Sequence, residues 1–378
     1  MKPIGVLGAG QLGRMIALAG YPLGLRFRFY DPSADAPAGQ LAPIVHASYD
    51  DHEALARFAD EVALITYEFE NVPVEAVRFL EARTPVFPGS AALEVAQDRL
   101  NEKRFFAEMG IPTAPYAAIE SAAELIEALH HIGLPAVLKT RRFGYDGKGQ
   151  RVVATLDEAR AAFVALRGSP LIVEGFVQFE RELSMIGVRT RGGETRFYPL
   201  IENQHHEGIL RISIAPAPGV SAALEHKAEV YMATVLKTLD YVGVLAIEFF
   251  AMRDELIANE MAPRVHNSGH WTIEGTQTSQ FENHVRAILG WPLGPTAARA
   301  HHAMLNMIGT IVPALPLLEF PEASLHIYGK APRPGRKLGH VTVSAPDGAR
   351  LAHSISDICR IMGTELSAGR TPSSKAAK

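Results

Sequence analysis

Glu248 lies inside Val244-Leu245-Ala246-Ile247-Glu248-Phe249-Phe250, a carboxylate in the middle of a strongly apolar run. Taking a lone carboxylate out of water is expensive unless its charge is compensated. A second run, Glu255-Leu256-Ile257-Ala258-Asn259-Glu260, follows a short turn at Arg253-Asp254. If the two runs pair antiparallel, the Asn259-Glu260 end can face Glu248. Two carboxylates and an amide oxygen make a hard, oxygen-rich set suited to Mg²⁺ held together with substrate phosphates, with Glu248 and Glu260 as the ligands. The bland alternative is a carboxylate pair neutralised by Arg264 or a lysine, with no metal. The chain then continues as Ala262-Pro263-Arg264-Val265-His266-Asn267-Ser268-Gly269-His270. Proline ends the strand, after which Arg264, His266 and Asn267 can converge. A guanidinium fork, an imidazole and an amide suit a small oxyanion such as bicarbonate or phosphate. His270 is expected to be a structural partner or a helix-entry residue.

Four further constellations carry weaker signals. Lys139 ends an apolar run and is followed by the loop Gly144-Tyr145-Asp146-Gly147-Lys148-Gly149-Gln150. Flexible glycines and a second cation, Lys148, fit a lid over nucleotide phosphates, although the Walker A order is absent. A surface hairpin with an Asp-Gly turn is the alternative. Glu174-Gly175-Phe176-Val177, with Glu182 following, could bind an adenine edge and ribose hydroxyls, or be an edge strand with solvated acids. Gly8-Ala9-Gly10-Gln11-Leu12-Gly13 is a G-x-G-x-x-G between strand and helix, with Asp31 at the end of the next strand. That pattern fits a dinucleotide dehydrogenase, another anion site, or a structural turn. Lys330, Arg333, Arg336 and Lys337, with Arg350 further on, make the C-terminal part basic around Pro334-Gly335. A phosphomonoester on a substrate is the natural partner, a solvated basic loop the alternative.

The elements that must position these groups follow from periodicity. Apolar runs at Ile4–Leu7, Phe27–Tyr30 and Glu61–Thr66, with a strand edge at Pro85–Gly89, alternate with helical patterns and predict a parallel βαβ unit over residues 1–95. A helix over Ala91–Met109, stopped by Gly110-Ile111-Pro112, reads as a connector. Strands at Ala136–Lys139, Leu171–Glu174, Glu182–Val188, Phe197–Glu202, Val244–Phe250 and Glu255–Asn259 predict an α+β region over 96–295. Strands at Leu325–Tyr328 and His340–Ser344 and a closing helix predict a small β-rich part over 296–370, with a polar, disordered tail at 371–378. The 378 residues, 47% hydrophobic and 21% charged, suffice for two or three domains. A net charge of −4 does not advertise nucleic acid as a partner. A single cysteine, Cys359, excludes an intramolecular disulfide and a cysteine-based zinc cluster and fits a reducing cytoplasm. The sequence shows no signal-peptide layout and no apolar run of membrane-spanning length.

The set GAGQLGRM, TYEFENV, GYDGKGQ, ENQHHEGIL, ANEMAPRVHNSGH and YGK…PGRKLGH, in this order as far as about residue 345, resembles the N5-carboxyaminoimidazole ribonucleotide synthetase family, ATP-grasp ligases of purine biosynthesis. The resemblance implies an α/β and α+β chain: an ATP-grasp fold with an N-terminal βαβ (Rossmann-like) domain and a small C-terminal β-rich domain. It implies ATP contacts at Arg99, Lys139, Gly144, Tyr145, Asp146, Gly147, Lys148, Gly149, Gln150, Glu174, Gly175, Phe176, Val177, Glu182, His205, Asn259 and Glu260. Glu248 and Glu260 resemble the Mg²⁺ ligands, and Arg264, His266 and Asn267 the bicarbonate and carboxyphosphate site. Gln11, Leu12, Glu70, Tyr145, Asp146, Lys330 and Arg336 resemble the site for aminoimidazole ribonucleotide, so that the glycine loop touches the ribonucleotide rather than NAD. Val265 departs from a position often held by proline, and Arg142-Phe143 from Gly-Gly; neither removes a polar group. The implied reaction is ATP-driven formation of carboxyphosphate, attack by the substrate amine, and a closing Gly144–Gln150 lid that excludes water. His266 and Asp146 both remain candidates for the amine proton. A homodimer in the cytoplasm is implied too. The rivals are another ATP-grasp ligase, such as a formate-using glycinamide ribonucleotide transformylase, and the NAD-dependent dehydrogenase.

Overall fold

A computed structural model describes residues 2–144 and 149–364. The first sheet is four parallel strands in the order β3-β2-β1-β4: β1 Ile4–Leu7, β2 Phe27–Tyr30, β3 Ile44–Val45 and β4 Leu64–Tyr67. Every residue of β1 and β4 is buried, because helices cover both faces of a parallel sheet. The expected strand at Pro85–Gly89 is only an isolated bridge, Ile65 to Val86.

The glycine loop after β1 is closed by the chain's own carboxylates. The backbone N–H groups of Gly10 and Gly13 donate to the two oxygens of Glu68, the second at 2.7 Å, and Ala9 N–H donates to Asp31 at 2.7 Å. Gly8 has φ +88°, and a Cβ there would lie 2.6 Å from Glu68 Cγ; one at Gly10 would collide with the Glu68 carboxylate. The glycines therefore make room for Glu68, which sits where a dinucleotide pyrophosphate would meet the start of the helix Gln11–Gly20. Asp31 is spent on Ala9 and Ser33 rather than offered to a ribose. The dehydrogenase reading fails on this geometry.

The second sheet is antiparallel, in the order β5-β8-β6-β7: β5 Tyr116–Ile119, β6 Ala136–Thr140, β7 Gln150–Val153 and β8 Leu171–Gly175. Helices Ala122–Ile132 and Leu156–Leu166, capped by Ser121 and Thr155, cover one face through Leu125, Leu129, Ala159 and Ala162. Strands β6 and β7 form a hairpin with Lys139 opposite Gln150. The glycine-rich run joins them, and its tip, Tyr145 to Lys148, lies outside the described residues. Glu174 is on β8, an interior strand; the expected edge strand with solvated acids is not what forms, because β5 and β6 pair on either side.

The third sheet has nine strands: β9 Arg181–Arg189, β10 Thr195–Phe197, β11 Ile201–His206, β12 Ile209–Ala215, β13 Gly243–Met252, β14 Glu255–Ala262, β15 His301–Ile308, β16 Ala323–Ile327 and β17 Lys337–Ala345. Their order is β14-β13-β9-β11-β12-β15-β17-β16, with β10 beside β9. The strand expected over Phe197–Glu202 splits in two around Pro199. Strands β12 and β15 are not anticipated from the sequence, yet they join the C-terminal strands to the rest of the sheet. The helix Ala222–Thr238, capped by Ser221, buries Leu224, Ala228, Met232, Val235 and Leu236 against that sheet at helical spacing. The expected connector helix is broken at Gln97-Asp98 into Ser90–Ala96 and Arg99–Glu108, because Asp98 accepts from Leu100 N–H and starts a new helix. His284 ties the first sheet to the third: it accepts from Val244 N–H at 3.1 Å and bonds Thr66 Oγ1 at 2.8 Å.

The close approach of Glu68 sets a stability test. Gly8→Ala must add a side chain at positive φ against that carboxylate. The variant is expected to lose about 1–3 kcal/mol in urea unfolding; a change within about 0.5 kcal/mol would show that the loop tolerates it.

Candidate active site

Strands β13 and β14 form a hairpin whose tight turn at Arg253-Asp254 pairs Met252 with Glu255 and Phe249 with Ala258. A β-bulge between Glu248 and Phe249 then shifts the register by one residue. Without it Glu248 would face Asn259; with it Glu248 faces Glu260, and Asn259 is the extra residue. The expected carboxylate pair therefore forms, and Asn259 Oδ1 is buried with no hydrogen-bond partner. Burial and the neighbouring Glu260 push the Glu248 carboxyl up to about 7. Glu260 keeps 41% of its side chain open to the cleft, so its desolvation is partial. Arg99 Nη1, 2.9 Å away, outweighs that desolvation and holds it below the ordinary carboxylate range. The printed ion pair of Glu260 is thus with Arg99, rather than with Arg264 or a lysine. Glu248, Glu260 and Asn259 Oδ1 fit the hard donor set that Mg²⁺ prefers.

Beneath them lies a buried cationic floor. Lys139 and Lys103 approach the same oxygen of Glu174 at 3.1 and 3.3 Å, and Lys103 also donates to the Asn259 carbonyl at 2.8 Å. Burial alone would raise the Glu174 carboxyl, but the two ammonium groups hold it at about 2. Glu174 Oε1 is buried and unpartnered. Gly175 and Phe176 N–H groups are spent on the Pro115 and Pro135 carbonyls, and Val177 follows in the irregular segment after β8. Across the cleft Glu182 on β9 pairs with His205 on β11; burial pulls the imidazole down, but the carboxylate carries it up to about 9.

Arg264, His266 and Asn267 all line the same cleft, with Gln11, Leu12 and Glu70. Their polar groups are largely engaged within the chain. Arg264 grips Glu70 bidentately through Nε and Nη2, the latter at 3.0 Å, while Nη1 donates to the Val265 carbonyl. Despite burial, that guanidinium holds the Glu70 carboxyl at about 2. Two residues expected in different subsites are therefore one unit. Asn267 exchanges reciprocal amide bonds with Asn306, at 3.1 and 2.8 Å. His266 Nε2 stands 3.3 Å from Glu248 Oε1. Burial, then Arg264 and Lys337, push the imidazole down to about 3, so the carboxyl stands beside a neutral ring rather than an imidazolium.

At the far rim Lys330 donates to Gln11 Oε1 at 3.0 Å, its ammonium lowered to about 8 by burial and by Arg336. Arg336 bonds the Ala331 carbonyl, and the neighbouring Lys337 lines the cleft itself. Gly144 lines the cleft, and Gly149 and Gln150 start the return strand; Tyr145, Asp146, Gly147 and Lys148 lie outside the described residues. His270 also lines the cleft; it is buried, with its ring 4.8 Å from that of His340. Sequence reasoning missed Glu102, Lys103 and Arg141, and placed Lys337 only in the basic loop. For Glu102 and Lys103 the signal was present: Arg99, Glu102, Lys103 and Phe106 follow the i, i+3, i+4, i+7 spacing of one helix face.

Three family models match the chain: a ribonucleotide synthetase preATP-grasp domain over residues 1–97, an ATP-grasp domain over 104–281, and a phosphoribosylaminoimidazole carboxylase C-terminal domain over 302–354. The N5-carboxyaminoimidazole ribonucleotide synthase of Pseudomonas aeruginosa is 52% identical over 355 residues, covering 94% of this chain and 98% of that one. The chain belongs to the N5-carboxyaminoimidazole ribonucleotide synthase family. The synthase of Bacillus subtilis is 41% identical over 90% of each chain. The crystal structure of the synthetase from Thermus thermophilus superposes with a TM-score of 0.93 at 56% identity, covering 96% of this chain and 99% of that one. That of the Aspergillus clavatus synthase in complex with ADP and 5-aminoimidazole ribonucleotide superposes with a TM-score of 0.89 at 33% identity, covering 96% and 98%. The α/β and α+β architecture is accordingly the ATP-grasp fold of this synthase family.

Glu102 gives the site a pH signature. Burial and Glu260 push its carboxyl up to about 8, while Oε1 accepts from Met261 N–H at 2.6 Å. The folded protein thus binds a proton that the unfolded chain, with a glutamate pKa of roughly 4.3, releases. This contribution to stability is present at low pH and is lost as pH rises towards about 8. Glu102→Gln retains the acceptor without the ionisation. In urea unfolding the variant should gain on the parent from pH ~5 to pH ~9; a pH-independent difference would contradict the assignment.

Proposed function

We propose that the protein carboxylates 5-aminoimidazole ribonucleotide with bicarbonate at the expense of ATP, giving N5-carboxyaminoimidazole ribonucleotide, ADP and phosphate in purine biosynthesis. The observation that carries the reading within the family is the Glu248–Glu260 pair set over a cationic floor. Glu248, Glu260 and Asn259 would hold Mg²⁺, which would neutralise charge on the phosphoryl group being transferred. Lys139, Lys103 and Arg99 supply fixed positive charge for the polyphosphate, and the β6–β7 pair stands as a cover that would exclude water from a labile carboxyphosphate. Glu174 Oε1 is available to a ribose hydroxyl of the nucleotide.

Arg264, locked by Glu70, presents the guanidinium edge that Glu70 leaves, with His266 and Lys337 beside it. That is a rigid cationic wall for bicarbonate and carboxyphosphate. Gln11, Leu12, Lys330 and Arg336 face the ribonucleotide, whose phosphate the basic C-terminal loop would take. A three-part division at 1–95, 96–295 and 296–370, a homodimer and a cytoplasmic setting complete the proposal and rest on the resemblance. Among the described residues no helix is long and apolar enough to cross a membrane.

The test is ADP release with ATP, bicarbonate and aminoimidazole ribonucleotide, each omitted in turn. Release is expected to need all three, with a carboxylated product formed in step. An unchanged rate without the ribonucleotide, and no such product, would sink the assignment. Arg264→Lys keeps the charge but loses the fork that Glu70 holds, and is expected to cost about 100-fold in kcat/KM; a parental value would remove Arg264 from the site.

A further inference from the structure

His266 stands at the end of a buried chain of hydrogen bonds that reaches across three strands of the third sheet. Ser213 on β12 donates through Oγ to Asn203 Oδ1 on β11 at 2.8 Å, which orients the amide. Asn203 Nδ2 donates to Ser184 Oγ on β9 at 2.8 Å, and Ser184 donates to Ser268 Oγ at 2.9 Å. Ser268 Oγ lies 2.8 Å from His266 Nδ1. Ser184, Ser213 and Ser268 are wholly buried and Asn203 nearly so, which leaves water no access to these links.

Asn203 Nδ2 donates to Ser184, whose own proton is then available to Ser268. Hydroxyl groups can donate or accept, so the direction of the chain is decided at its His266 end. Ser268 is left with one proton, and Nδ1 is the acceptor beside it. Ser268 backbone N–H also points at Nδ1, at 3.4 Å, and it too can only donate. At the other edge of the ring, Nε2 faces the carboxylate oxygen of Glu248 at 3.3 Å. The backbone that carries the ring is fixed by Gln280, which accepts from His266 N–H at 2.9 Å and donates to its carbonyl at 2.6 Å. The Nδ1 edge of the imidazole therefore favours the proton on Nε2, and an ionised Glu248 at the other edge favours the same tautomer.

We propose that Ser268, held in turn by Ser184 and Asn203, is a positioning residue that locks His266 with its proton on Nε2. The ring then donates a hydrogen bond towards Glu248 and the bound oxyanion, and it does not serve as the base that takes the amine proton. The inference deepens the carboxylation reading of this cleft. It gives Ser184 and Asn203, on strands far from Arg264 in sequence, a part in that chemistry.

The decisive experiment is histidine-selective ¹⁵N NMR of the full-length protein without ligands, with the His266 signals assigned by their loss in His266→Asn. Nδ1 is expected at the shift of an unprotonated nitrogen and Nε2 at that of a protonated one. In Ser268→Ala the two shifts should move towards each other, and kcat for ADP release should fall about 10-fold. KM for ATP should change less than about 2-fold, since nucleotide binding is untouched. Ser184→Ala, which leaves Ser268 in place but removes its donor, should move the shifts in the same direction by less and covers the case in which Ser268→Ala does not fold. A parental spectrum with the proton on Nδ1, or a tautomer unmoved by either substitution, overturns the proposal. Because the shifts are read without turnover, a locked tautomer in a protein that fails to carboxylate would instead indict the assigned reaction.

Discussion

Two carboxylates set directly opposite each other on antiparallel neighbours repel, and the cleft is organised around that repulsion. Cβ atoms of such a pair lie roughly 5 Å apart. Two unit charges at that separation cost about 1 kcal/mol in water and about 3 kcal/mol at an effective dielectric near 20. The exposure of Glu260 moves the true figure towards the lower end. The protein resolves the conflict asymmetrically. Arg99 keeps Glu260 ionised, whereas for Glu248 burial and Glu260 outweigh His205 and Lys337, and its carboxyl is pushed up to about 7. A divalent cation held by the pair would neutralise the charge that remains.

The surrounding charges extend the same logic. Lys103, Lys139 and Arg99 face two ionised carboxylates, Glu174 and Glu260, while Glu102, pushed up to about 8, is mostly protonated at neutral pH. The floor is therefore electropositive on its own and suits a polyphosphate. Glu174 is indispensable to it, since leaving two buried ammonium groups without their carboxylate costs on the order of 3–5 kcal/mol. On the opposite wall the Glu70–Arg264 unit turns a flexible cation into a fixed one. Preorganised charge of this kind stabilises a transferred group without reorganisation during the reaction.

What the sequence disclosed tracks how local the physics is. The apolar runs Val244–Phe250 and Glu255–Asn259, with Arg253-Asp254 between, point to a hairpin, and the acid inside the first announces a site. The bulge that exchanges Asn259 for Glu260 opposite Glu248 leaves no such mark, because a one-residue slip in register is decided by packing and charge around it. Arg264 and Glu70 were both singled out, but their bond spans 194 residues and depends on how the first and third sheets dock. Glu102 and Lys103 looked like the polar face of a connector; their burial follows from the helix Arg99–Glu108 packing against β14. The glycine fingerprint misled towards a dinucleotide because its anion, Glu68, comes from the chain itself, 58 residues beyond Gly10.

Glu248 and Glu260 together are the proposed seat of a nucleotide-bound cation. Calorimetric titration of ATP with and without Mg²⁺ tests it without recourse to turnover, using the parent protein, Glu248→Gln and Glu260→Gln. Mg²⁺ should tighten ATP binding to the parent, and that gain should vanish in both variants while both still bind ATP on the lysine floor. If either variant keeps the full gain from Mg²⁺, the pair is not the metal seat and the account of the cleft fails.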